Sequence, residues 1–177
     1  EKRRQEHPDY TGEEEFNYFL SVIFPDSELK IFDYNRVVRD LNGLTPAKLL
    51  EKISEHFEVG EARQDAFRPE KKGEFGLFLE GAWRKLCYRG SSTGNAVQDL
   101  DVSILQDLVL HPLLGIQDPK TDPRIDFIGG IRGLAELERR VRTDCRAAFS
   151  MYPTSIGELF AVADAGLLMP PKSTWFE

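Results

Sequence analysis

Cysteine, histidine and net positive charge are all scarce in this chain, and each shortage excludes something. Its 177 residues include two Cys, Cys87 and Cys145, and three His: His7, His56 and His111. Two thiols cannot form a disulfide framework, and neither they nor the scattered histidines have metal-ligand spacing, so a reducing, cytoplasmic setting is expected. Acidic residues outnumber basic ones by 30 to 23, for a net charge of −7. A protein that grips nucleic acid or an anionic membrane needs a basic footprint, so neither partner is expected. No apolar run is long enough for a signal-peptide core or a membrane span. Internal repeats and low-complexity tracts are absent too.

What remains is ample for a core. Hydrophobic residues make up 41% of the chain and include 12 Phe, which rules out disorder throughout. The length suits one domain, although two small lobes would also fit. The first residue is Glu1 rather than Met, and the last three are Trp175, Phe176 and Glu177. Large aromatics at a terminus are expected of a piece cut from a longer protein.

Hydrophobic periodicity gives the elements. Residues 16–24 are apolar at both parities, which predicts a strand covered on both faces. A turn at Pro25–Glu28 then leads into a β-rich run over 29–38, so a hairpin is expected. Thr45-Pro46 opens a helix with its stripe at Leu49, Leu50, Ile53 and Phe57. A second hairpin is predicted over 73–89, turning at Gly81-Ala82. Asp99 or Asp101 caps a helix that Pro112 stops. A strand at 124–128 leads through Gly129-Gly130 into a helix supported by the pairs Glu136–Arg140 and Glu138–Arg142. A strand at 146–152 and a capping box at Ser155–Glu158 complete the order. Hairpins mixed with β–α units predict an α+β fold with a mixed, largely antiparallel sheet.

Several segments have the residue types of an anion site, and each has a plainer explanation. Gly129-Gly130-Ile131-Arg132-Gly133 joins a strand to a helix, so its amides can form a nest with Arg132 beside it. The plainer reading is a turn that needs glycine for geometry. After Pro170-Pro171, a stiffened chain presents Lys172, Ser173 and Thr174, a cation beside two hydroxyls; it also reads as an exposed linker. Asn35-Arg36 puts an amide next to a guanidinium, a pair that often only satisfies nearby carbonyls. The loop at 90–95 has the small and hydroxyl residues of a phosphate cradle without the terminal Lys. Neither Cys has a partner histidine; Cys145 lies near Arg142 and Arg146, which would favour a thiolate, and packing is the plainer role for both.

Residues 99–115, 124–140 and 152–176, the last with the string Met169-Pro170-Pro171-Lys172-Ser173-Thr174-Trp175-Phe176, resemble successive blocks of the family known as domain of unknown function 1015. Residues 22–43 resemble an earlier strand-turn-strand block of it. The family's Leu-Asp-Val stretch matches Leu100-Asp101-Val102, while Asn35-Arg36 stands where many members carry His-Arg. The resemblance implies a cytosolic protein whose N-terminal half, absent here, carries a Gly-His-His-Arg motif similar to the ParB and sulfiredoxin-like superfamily. Some members of that superfamily bind nucleotide and transfer phosphate.

Two readings follow. In the first, the chain is part of a phosphate- or nucleotide-handling enzyme that works by positioning and charge stabilisation. Arg132, Lys172, Ser173, Thr174, Gly129, Gly130, Asn35 and Arg36 would then contact a nucleotide or small phosphorylated, anionic ligand. Asp101 would hold a metal-bridged phosphate or merely cap a helix. In the second, the chain is a non-catalytic module that binds a ligand or a protein. The residues name neither a cofactor nor an oligomeric state.

Overall fold

The computed structural model describes residues 2–176. After a short helix α1 (Lys2–Glu6), strand β1 (Ile31–Phe32) is followed at once by β2 (Tyr34–Val38). Helix α2 (Pro46–Ile53) and strand β3 (Phe57–Val59) come next, then the hairpin β4 (Glu74–Leu79) and β5 (Ala82–Tyr88). Helix α3 (Asp101–Leu105) runs into a π-helical turn over Gln106–Leu110. The chain continues with β6 (Ile125–Gly129), α4 (Gly133–Thr143), β7 (Ala147–Met151), α5 (Ile156–Asp164) and β8 (Trp175–Phe176).

Six strands form one sheet in the order β3-β5-β4-β7-β2-β6, and every neighbouring pair is antiparallel. The fold is therefore α+β, with helices on both faces of this sheet. One face packs α4 through Leu137 against Val37, Phe78, Trp83, Ile128 and Ala148. The other face buries the stripe of α2 and the apolar side of α3 against Phe57, Phe75, Leu77 and Phe149. β1 pairs separately with β8, which brings the end of the chain back beside the start of β2. Among the described residues, no helix is long and apolar enough to cross a membrane.

Local rules account for most of these elements. Thr45 accepts the Lys48 amide at 3.2 Å with Pro46 in the first turn, as a helix start requires. Ser155 and Glu158 close a reciprocal capping box on α5. The hairpin turns at Glu80-Gly81, one residue earlier than its sequence suggests, and both residues have positive φ, 53° and 75°. That geometry matches strand twist and favours glycine at its second position.

Four expectations need correction. Neither Asp99 nor Asp101 caps α3: its N-cap is Leu100 with no side-chain bond, because Asp99 is held by the loop at 90–95 and Asp101 by the Gly73 N–H. Residues 16–24 form no strand: a 3-10 turn at Glu15–Asn17 gives way to irregular extended chain. Phe19, Leu20 and Ile23 are 87%, 92% and 90% exposed. A strand apolar on both sides needs cover on both, and no described element provides it. Phe57 continues the buried stripe of α2 from strand β3 rather than from the helix. Of the two ion pairs on α4, Glu138–Arg142 forms at 3.0 Å, but Arg140 pairs instead with Asp126 and Asp144 at 2.8 and 2.7 Å. Two better-placed carboxylates win its guanidinium, and Glu136 takes Arg139 at 2.6 Å.

Candidate functional site

β2 carries a charged residue among valines, and this placement builds the site. Side chains alternate across a strand, so Asn35 and Arg36 leave β2 on opposite sides. Asn35 is fully buried; its amide donates to Asp33 Oδ2 at 2.6 Å, and its Oδ1 accepts the Met151 N–H at 2.9 Å. Arg36 is 3% exposed. Its guanidinium donates to the Tyr34 carbonyl and, at 3.0 Å, to the Lys172 carbonyl, and it lies 5.6 Å from the Phe127 ring centre. Among the described residues no carboxylate comes within ion-pairing distance of it. Burial without a counter-ion pushes the guanidinium down to about 10, which still leaves it charged at neutral pH.

This cation lines a cavity of about 370 Å³. Val102, Leu110, Phe127 and Pro171 give it apolar walls, and Ser103, Gln98 and Gln117 add hydroxyl and amide groups. Part of the wall is the π-helical turn, which supplies Gln106 and Asp107. Such turns recur at functional sites because they re-aim side chains out of helical register. Gln106 is tied down by donating to the Ile116 carbonyl at 2.7 Å.

α3 separates this cavity from a second one of about 250 Å³, lined by Lys72, Tyr88, Ser91 and Asp101 among others. Asp101 is 7% exposed, and both its oxygens accept the Gly73 N–H, at 3.0 and 3.1 Å. Burial pushes its carboxyl up to about 7, with Glu158 adding to the rise and the Gly73 bond and Lys72 opposing it. Lys72 itself pairs with Glu158 at 2.6 Å.

The residues singled out in the sequence thus divide. Arg36 and Pro171 meet at the first cavity, where Lys172 contributes its carbonyl; the Lys172 ammonium sits 5.7 Å over the Tyr34 ring. Ser173 is buried and its carbonyl accepts the Thr154 hydroxyl at 3.0 Å, while Thr174 is half-buried beside it. Gly129 lies against the Trp175 ring, and Gly130 lies so close to Asp33 that a Cβ there would meet Oδ1 at 2.1 Å. Both glycines lie outside the lining of these two cavities, as do Asn35 and the exposed Arg132. Asp99 already fills the loop at 90–95: it accepts the amides of Thr93 and Gly94 and the hydroxyls of Ser92 and Thr93 at 2.5 to 3.2 Å. Those bonds hold its carboxyl down at about 2.

Cys145 is buried near Arg140, and burial pushes its thiol up rather than down. No group of three or more His, Cys, Asp or Glu suited to a metal ion occurs among the described residues. Ser103, Gln98, Gln117 and Asp118 had no local signature; the cavity draws them from α3 and from the loops on either side of it.

The model of a protein family of unknown function, DUF1015, matches residues 1–103. The chain belongs to this family. None of the curated proteins matches it. Among solved structures, this DUF1015 chain is similar to free serine kinase in complex with AMP, at 17% identity with a TM-score of 0.48. A point mutant of that kinase, also with AMP, gives 18% identity and 0.47. The alignments cover 85% of the DUF1015 chain but 54% of those chains, so it spans about half their length.

Proposed function

We propose that the cavity beside Arg36 binds a small phosphorylated or nucleotide ligand, and that the chain handles this ligand as part of a kinase-like enzyme. One observation carries the reading: a buried guanidinium that no carboxylate among the described residues neutralises, in the lining of a cavity large enough for a small ligand. Leaving such a charge buried and uncompensated costs several kcal/mol, roughly, and an incoming phosphate or carboxylate would supply the missing charge through paired N–H···O bonds. Asp101, on the other side of α3 and near neutrality in its titration, supplies a group able to hold or release a proton at physiological pH.

The test is isothermal calorimetry and thermal unfolding of the full chain with inorganic phosphate, AMP and ATP, beside Arg36→Met and Gln98→Ala. A ligand at a hundred times its Kd stabilises by about 2.7 kcal/mol, a rise in Tm of roughly 5–10 °C for a chain of this size. Arg36→Met is expected to abolish that rise and Gln98→Ala to reduce it. Equal rises in wild type and Arg36→Met would refute the assignment.

A second reading, a binding module without catalysis, is favoured by the uncovered apolar stretch Tyr18–Phe24, the kind of surface that protein partners cover. It predicts the same Arg36-dependent binding with no phosphate transfer from ATP to any of a panel of amino acids, followed by phosphorus NMR.

A further inference from the structure

The charges around the Arg36 cavity are distributed by depth. Arg36 is the one cation in its lining among the described residues, and it is the most deeply buried polar group there. Two carboxylates, Asp107 and Asp118, also line it, and both are exposed, so they stand at the mouth. Neither is ion-paired among the described residues. Asp118 is fixed in place, accepting the Lys120 amide at 2.9 Å and the Thr121 hydroxyl at 3.2 Å. Between floor and mouth the walls are mainly apolar, with Val102, Leu110, Phe127 and Pro171 facing the space. A ligand entering this cavity passes two negative charges before it meets one positive one.

We propose that the cavity takes a ligand with a single anionic head, seated on Arg36, and an uncharged or cationic remainder at Asp107 and Asp118, and that it rejects polyanions. This rests on the reading of Arg36 as the anion anchor and sharpens it. A triphosphate with its head on Arg36 would leave further phosphates, without a cation, in the field of two carboxylates. Both carboxylates are exposed, so that repulsion is greatest at low salt. An ammonium or hydroxyl at the same place is attracted. The cavity would therefore seat a nucleoside monophosphate or a phosphate-accepting small molecule, and not the triphosphate donor of a kinase-like reaction.

The experiment is calorimetry of the full chain at low salt with AMP, ADP and ATP, with EDTA and again with magnesium. The body of the ligand is constant along this series and only the charge grows. Affinity is expected to fall by about tenfold or more from AMP to ATP, and the doubly substituted Asp107→Asn, Asp118→Asn chain is expected to narrow the gap. Phosphoethanolamine against ethyl phosphate tests the mouth alone: the ammonium is expected to improve affinity in wild type and to lose that advantage in the double variant. The proposal is overturned if ATP binds as tightly as AMP or tighter, with or without magnesium, or if the ammonium brings no gain. Loss of that ATP binding in Arg36→Met would leave the anion-anchor reading standing. No Arg36-dependent binding of any of these probes would overturn both.

Discussion

Asp101→Asn is the substitution whose outcome the structure specifies most fully. Asp101 titrates near 7 in the folded protein against an ordinary value of 3.8. The sign follows from linkage: the folded state holds a proton that the unfolded chain releases, so stability falls as pH rises from about 4 to about 7 and stays at its lower level above that. At 1.36 kcal/mol per pH unit, the distance from 3.8 to about 7 corresponds to at most about 4 kcal/mol. Water entry and relaxation at a site that opens onto a cavity bring the expected figure nearer 2 kcal/mol. Asn keeps an oxygen for the Gly73 N–H and never ionises. About two-thirds of that drop falls above pH 5, so the variant is expected to gain on wild type by roughly 3–5 °C in Tm between pH 5 and pH 8 for a chain of this length. The carboxylates held low, such as Asp99 and Asp144 at about 2, lose their contributions only as pH falls through their ordinary value, below this window. Thermal unfolding of both proteins at half-unit steps of pH measures the difference directly. A difference that stays constant from pH 5 to pH 8 would refute the reasoning, because it would mean that Asp101 is ionised throughout.

Other substitutions separate packing from binding. Arg36→Met is expected to change the stability of the ligand-free protein by less than about 2 kcal/mol, since the lost bonds to two carbonyls are offset by removal of an uncompensated buried charge; denaturant unfolding checks this. Gly130→Ala is expected to cost about 3 kcal/mol, because its Cβ would press on the buried Asp33 carboxylate, which Asn35 and Arg68 hold in place; the same denaturant assay reads it. Asp99→Ala is expected to speed amide exchange at Thr93 and Gly94 while leaving the core protected, as hydrogen exchange by NMR would show. Thr45→Ala is expected to cost about 1 kcal/mol through the lost cap on α2.

The sequence was most readable where one local rule governs. Thr45-Pro46 and Ser155–Glu158 begin helices because their side chains satisfy orphan amides within four residues, and such short-range bonds need no knowledge of the fold. The alternation through Phe75, Leu77 and Leu79 likewise marked the hairpin. Residues 16–24 failed under the same logic, because an apolar pattern states a need for cover and cannot state that cover is present. Arg36 was visible as a charge inside a valine-rich strand, but its significance depends on what does not surround it. That depends on β6 bringing Phe127, and the π-helical turn bringing Asp107, from about ninety and seventy residues away.

The two glycine-rich segments carry the opposite lesson. Both have the composition of an anion cradle, and in both an aspartate of the chain itself occupies the place, Asp99 through its carboxylate and Asp33 through its backbone carbonyl. Asp99 sits within the arms of the loop at 90–95, and the carboxylate of Asp33 presses against Gly130, whose amide donates to the Asp33 backbone carbonyl at 2.7 Å. A cradle of amides and hydroxyls lowers the energy of whichever carboxylate reaches it first, and one tethered six residues away has an effective concentration that free ligand cannot match. For Gly130 the competing acceptor is the backbone carbonyl of Asp33, between β1 and β2, and no sequence spacing announces it. The argument also runs in reverse at Arg36. Seven more acidic than basic side chains surround this fold, and none of the described ones is within ion-pairing distance of a buried guanidinium that any of them would stabilise. Where a carboxylate is so readily available and still absent, the vacancy is the feature to test, and Arg36→Met with added phosphate tests it in one titration.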